Sequence, residues 1–190
     1  TAAGTTLPDR IALKPATQHG VTPLEVLIPQ LNLSNGLLGL APLQTTGLRS
    51  NQKATLRTLA TQAASDITDR MRANETAMGV DRDPDTGMVT YVAGNDSYVI
   101  ARTAADPVPT VDCTTNECTP AQLATFDLSQ WRNRVSQLPG GKSEITGPAG
   151  AVFEHTVIVY WDQNRTGATG TNCPPLSEDD LRCIRLVFSE

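Results

Sequence analysis

Between Leu24 and Met71 the sequence changes character without a clean break. Leu24, Val26, Leu27, Ile28, Leu31 and Leu33 open like a membrane span. Yet Glu25, Gln30, Asn32 and Asn35 sit among them, and Pro23, Pro29 and Pro42 punctuate them. Further on, Leu56, Leu59, Ala63, Ile67 and Met71 recur at three- and four-residue steps. That spacing stacks side chains on one helical face. Asp66 and Arg70 are four apart with the acid first, the favourable order for a surface pair. Arg70 and Arg72 come where the dipole at a helix C-terminus favours cations. The pattern predicts a helix from about Asn51 to Ala73, continuing upstream toward Leu24 with breaks or kinks near Pro29 and Pro42.

The rest of the chain must cover one face of that helix with modest means. With 190 residues, one domain plus an extension fits better than two full domains. Aromatics are 4% and hydrophobic residues 39%, so the core is expected to be small and aliphatic. The net charge of −5 and a pI near 5.0 give no electrostatic footprint for nucleic acid. No long basic run marks a surface for anionic membranes.

Cys113, Cys118, Cys173 and Cys183 all fall in the C-terminal half. No C-x₂-C or His-containing zinc spacing is present. Two disulfides are the economical reading and imply an oxidising compartment. Pairing Cys113 with Cys118 and Cys173 with Cys183 closes two short loops; two other pairings remain open. Export needs a signal, but residues 1–20 are polar, with Arg10, Lys14 and His19, and apolarity begins only after Gly20. That order is not a conventional secretory peptide. A threonine at position 1 leaves room for more leader upstream.

Downstream of the helix, MGVDRDPDTG reads as a polar loop. MVTYV and SYVIA, separated by AGND, read as a hairpin. Residues 102–120 form a Pro- and Thr-rich connection. Thr119-Pro120 starts a short helix through Leu128, Trp131, Val135 and Leu138, with Asp127 as another candidate N-cap, and LPGG stops it. Ala151–Asp162 and Leu181–Ser189 are strand-like, and a Cys173–Cys183 bond would tether the long loop between them to the strand edge.

A long helix leading into a disulfide-clamped antiparallel sheet resembles the type IV pilins and their relatives. The resemblance is specific at two places. Gly20-Val21-Thr22-Pro23-Leu24-Glu25 looks like the prepilin cleavage motif: glycine, an apolar new N-terminus, and glutamate as the fifth mature residue. ASDITDRMRAN, Ala64 to Asn74, following GLLGLAPLQ, resembles the minor pilins called type IV pilus modification proteins, the PilV class. LSQWRNRVSQLPGG and VIVYWDQNR followed by LRCIRLVF are similar to that class too, so the likeness covers most of the chain from Gly20 onward.

The resemblance implies an α+β, pilin-like fold with three parts: a leader over 1–20, an altered hydrophobic helix half over 21–43, and a globular head over 44–190. It implies a minor pilin that joins other minor pilins to prime a type IV pilus, near its tip. A prepilin peptidase would cut after Gly20 and methylate the amine of Val21. Glu25 would be the assembly carboxylate, a costly anion in an apolar setting unless paired with that amine on its own or a neighbouring subunit. Implied partners are the other minor pilins, the major pilin, the peptidase and the inner membrane, with no nucleic acid and no cofactor. The location would be the inner membrane facing the periplasm, then the cell-surface pilus. A minor pseudopilin of type II secretion shares the cleavage logic, but DRMRAN weighs against it; a pilus-borne adhesive module is a further alternative.

The chain departs from the family at Pro23, Pro29, Gln30, Asn32 and Asn35. Each buried, unpaired amide would cost about 1–3 kcal/mol. Either the segment was altered to keep the protein soluble, or it relies on helix neighbours in a filament. The clustering of polar changes inside the span favours alteration.

Other chemistry is weakly marked. Asp81, Asp83 and Asp85 precede Gly87, but a calcium loop wants glycine one place earlier and an acid where Val92 stands, so a solvated turn fits better. Asp162, Asn164, Thr166 and Gly167 fit half of such a loop, whose terminal position is Cys173. His155 lies on a strand, where histidine is usually a face or pairing residue, and no G-x-S-x-G elbow surrounds a serine. Trp131 on a short amphipathic helix is expected in the core. The reading is therefore an assembly protein with no catalytic residues and no metal site.

Overall fold

The computed structural model describes residues 23–148 and 153–189, with side chains from Gln44 onward except Ala93. The chain divides into two compact units, Thr1–Gly47 and Leu48–Glu190, and the packing described here is that of the second. Helix α1 is Pro23–Ala73. It leads through a 3₁₀ turn, Glu75–Ala77, into strands β1 (Met78–Arg82) and β2 (Val89–Asp96). Helix α2 (Pro120–Ser136) and strands β3 (Lys142–Thr146), β4 (Glu154–Trp161) and β5 (Arg182–Ser189) complete the chain. The class is α+β, with two antiparallel sheets: β1 pairs with β2, and β4 lies between β3 and β5.

Of the breaks or kinks expected near Pro29 and Pro42, no break is present: α1 runs through both as one helical element. A proline removes one helical hydrogen bond and tilts the turn before it, which does not oblige a long helix to end. The buried face is Ala60, Ala63, Ala64, Ile67 and Met71, with Leu56 packed beside it. Leu59 is off this face and 46% exposed, because Ala60 takes the position facing the core. Four-residue steps from Leu56 through Ala60 and Ala64 keep a small-residue track toward the head.

α2 begins where the sequence placed it. Thr119 Oγ1 accepts from Gln122 N at 3.3 Å, and Gln122 Oε1 accepts from Thr119 N at 2.9 Å, a reciprocal capping box ahead of Pro120. Ala124, Leu128, Trp131 and Val135 are buried at helical spacing. Trp131 is 1% exposed and its indole Nε1 donates to Ala63 O at 3.0 Å, so α2 bonds directly to α1's carbonyl edge.

The expected hairpin is displaced. Its first strand is Met78–Arg82, inside the stretch read as a polar loop, and its second is Val89–Asp96. The turn is fixed by Asp83, whose Oδ1 accepts from Asp85 N at 2.9 Å and Thr86 N at 2.8 Å. Such an Asx turn reverses the chain here, and AGND lies within β2. Asp81 and Arg82 are exposed on the outer end of β1, while Met78, Gly79 and Val80 are buried. The register shifts between Met78 and Val80. Gly79 sits there at φ 75, and a Cβ would come within 3.0 Å of Val92 O, so the bulge requires glycine. Tyr98 and Ile100, expected in the second strand, are buried, and Ile100 bridges to Ile145 of β3. β3 has no counterpart in the sequence reading.

Candidate functional site

A polar framework joins α1 to α2 beneath the apolar core. Arg70 Nη1 donates to Asp127 Oδ1 at 2.8 Å and to Gln130 Oε1 at 3.0 Å, and Arg70 Nε donates to Asp66 Oδ2 at 3.1 Å. Tyr98 Oη donates to Asp127 Oδ2 at 2.8 Å, and Asn74 Nδ2 donates to Tyr98 Oη at 3.2 Å. Asp127 is thus the centre of a network in mid-helix, not an N-cap: it is 5% exposed and both oxygens are engaged. Burial opposes the Arg70 charge, but Asp127 and Asp66 outweigh it and raise its pKa. Burial, opposed by the Asn74 amide and reinforced by Asp127, pushes the Tyr98 hydroxyl far above its ordinary range. A charge held this way loses much if one partner is removed and fixes a unique helix register.

Two further residues pin the connections. Arg132, 7% exposed, donates to the carbonyls of Ala101 and Ala104 at 2.6 Å each, holding the segment after β2. His155, 1% exposed, places Nε2 at 2.7 Å from Asp96 Oδ2 and stacks on Phe188. His155 thus bonds β4 to the end of β2 and is closed to solvent, which fits a pairing residue.

The four cysteines form Cys113–Cys118 and Cys173–Cys183. The second ties the β4–β5 connection to β5. Within that connection two carboxylates organise the backbone. Asp162 is 6% exposed and accepts from Gly167 N at 2.8 Å and Asn164 N at 3.2 Å. Burial alone would raise its pKa, but its backbone donors prevail and hold it below the usual carboxylate range. Asp180 accepts from Leu176 N at 2.9 Å, Ser177 N at 3.0 Å and Asn172 Nδ2 at 3.0 Å, and these donors likewise lower its pKa. Asp83 and Asp162 are therefore turn-builders whose oxygens are occupied by N–H groups. Among the described residues no group of three or more His, Cys, Asp or Glu is placed to hold a metal ion.

One surface opening stands out. A cleft of about 830 Å³ lies between Leu48–Leu56 of α1 and the Gln163–Thr166 turn. Its cations are Arg49, Lys53 and Arg165, its apolar lining is Leu48 and Leu56, and no carboxylate lines it. Arg165 holds φ at 54, a left-handed conformation that Asp162 supports through the neighbouring N–H groups. Sequence reasoning passed over this cleft because its parts lie more than a hundred positions apart; the acid-free run around Arg49, Lys53 and Arg57 was the available signal.

The expected processing residues fall elsewhere. Gly20 and Val21, with the 1–20 leader, lie outside the described residues. Glu25 lies in α1, third from its first described residue, Pro23, and its side chain lies outside the described residues. Among the described residues no helix is long and apolar enough to cross a membrane.

Together these features define an α+β unit with two disulfides, its two helices bonded by a partly buried Asp–Arg–Tyr network. Comparison with protein-family models, with curated proteins and with solved structures returns no match to this chain.

Proposed function

We propose that this chain is a minor pilin: a non-enzymatic, pilin-like subunit that joins other minor pilins to prime a type IV pilus. The observation that carries the reading is the motif Gly20-Val21-Thr22-Pro23-Leu24-Glu25, whose last three residues open the helix Pro23–Ala73, in a chain with a disulfide-bonded α+β head. In this reading a prepilin peptidase cuts after Gly20 and methylates Val21. Glu25 then pairs with that amine or a neighbour's. The pair adds little net stability but penalises a wrong register, because an unpaired carboxylate among apolar helices is costly. The disulfides suit the periplasmic face of the inner membrane, where the subunit waits, and the cell-surface pilus, where it ends. Its partners are the other minor pilins and the major pilin, and it needs no cofactor.

The test is the intact mass of the chain produced beside a prepilin peptidase, run in parallel with a version carrying Pro23→Leu, Pro29→Leu, Gln30→Val and Asn32→Val. Loss of residues 1–20 with gain of one methyl group is the expected result for the restored version, followed by capture of minor pilins. An uncut leader in both versions overturns the reading. Binding to a surface glycan with no capture of pilins would move the assignment to an adhesive module.

A further inference from the structure

The charge of the chain is unevenly placed. Of its 20 acidic residues only Asp9 and Glu25 precede Asp66, and residues 44–65 hold Arg49, Lys53 and Arg57 with no acid. Arg49 and Lys53 are one helical turn apart on α1 and face the cleft together with Arg165. Among the described residues none of the three makes an ion pair. Leu48 at the cleft's rim is 67% exposed. The cleft therefore offers three free cations around an apolar strip.

The complementary shape is on the same chain. In the β4–β5 connection Leu176 is 81% exposed and is followed by Glu178 and Asp179, both exposed. This loop is held from behind: Asp180 takes the N–H groups of Leu176 and Ser177, and Cys173–Cys183 closes its base. An apolar knob flanked by two carboxylates is thus presented on a fixed backbone, which reduces the ordering cost of docking. The turn bearing Arg165 belongs to the same connection, so receptor and knob share one end of the β4–β5 pair.

We propose that the cleft receives the Leu176–Asp179 loop of a second copy of this chain, with Leu176 against Leu48 and Leu56 and the two carboxylates against Arg49, Lys53 and Arg165. A surface that carries both a receptor and its complement meets the requirement of a two-fold interface, in which each copy gives its loop and takes its partner's. The contact is salt-sensitive because its charges are exposed. The inference stands apart from the pilus reading, since it uses only residues of the head and of α1 beyond Gly47.

The test uses the intact chain in sedimentation equilibrium at about 0.05 M and about 0.5 M salt, which differ severalfold in screening length. Two variants are compared: Arg49→Glu with Lys53→Glu, and Glu178→Lys with Asp179→Lys. All four positions are exposed, and thermal unfolding of each variant confirms folding before association is measured. Wild type should dimerise more strongly at low salt. Each variant alone should associate at least about tenfold more weakly, because two exposed pairs become repulsive at each loop–cleft contact. An equimolar mixture of the two should recover dimer, since negative cleft then meets positive loop and positive cleft meets negative loop. The proposal is overturned by a wild type that stays monomeric at low salt, by association indifferent to both reversals, or by a mixture that does not recover. It is also overturned if inorganic phosphate or vesicles with anionic headgroups bind the cleft of a chain that stays monomeric.

Discussion

Two neighbouring stretches of α1 have the same backbone and opposite fates. From Ala60 to Met71 the helix is anchored: Ala60, Ala64, Ile67 and Met71 are fully buried, Ala63 accepts the Trp131 indole, and Arg70 enters the Asp127 network. From Leu48 to Leu59 only Leu56 is half-buried; Leu48 and Leu59 are exposed and the charged residues are all basic. Helical periodicity alone does not say what a face is for. Small residues in register with a tryptophan make a packing face. Leucines among unpaired cations make a face that the chain's own head leaves open.

That contrast can be broken most severely at Trp131. Trp131→Ala removes one of the two buried tryptophans and a hydrogen bond to α1, and should destabilise the protein by about 3–5 kcal/mol in denaturant titration. Leu48→Ala, on the open stretch, should change stability by less than about 0.5 kcal/mol. Asp127→Ala comes next, at about 2–3 kcal/mol, because it strands the Tyr98 hydroxyl and leaves Arg70 with only the Gln130 amide and the half-exposed Asp66. Equal losses for Trp131→Ala and Leu48→Ala would erase the distinction between the two stretches.

The disulfides sharpen the comparison on the head side. Replacing Cys173 and Cys183 by alanine opens a loop of sequence separation 10 and should cost about 2.7 kcal/mol, whereas opening the separation of 5 at Cys113–Cys118 should cost about 2 kcal/mol. Only the former should also loosen the Leu176–Asp179 loop, read as faster amide exchange there. A smaller effect follows from pH. Burial, then the bond to Glu144, pushes the Tyr160 hydroxyl up to about 12 from an ordinary 10.0. Its folded pKa is raised, so its contribution is fully present below pH 10.0 and fades as pH rises toward about 12. Tyr98 acts in the same direction. Tyr160→Phe should flatten that alkaline loss in pH-dependent unfolding. For Asp162 and Asp180 the folded pKa is lowered, so their contribution is present above the usual carboxylate range and fades as pH falls below it.

How far the sequence foretold these features depended on whether the signal was local. The capping box at Thr119, the apolar spacing of α2 and the dense β-branched run of β4 are local, and each element appears near its expected place. The hairpin was misplaced because Asp83's turn-forming bonds compete with the Gly and Asn of AGND, and composition alone does not rank them. β3 escaped because its inward positions are Ser143 and Ile145, too few apolar residues to mark an alternation. Asp127 looked like a cap because its partners, Arg70 and Tyr98, are distant in sequence. Cysteine count and position pointed to two disulfides but left their pairing open; the structure has Cys113–Cys118 and Cys173–Cys183. Only one side of the cleft was legible, as the acid-free basic run of α1; its meeting with Arg165 is produced by folding.

Native-state hydrogen exchange along α1, on the disulfide-intact chain at low concentration, tests the division of this helix most directly. Amides from Ala64 to Met71 should exchange only at the rate of global unfolding, while those from Leu48 to Leu59 should exchange far faster through local opening. Uniform protection from Leu48 to Met71 would contradict that division, because the open stretch would then be as firmly anchored as the packed one.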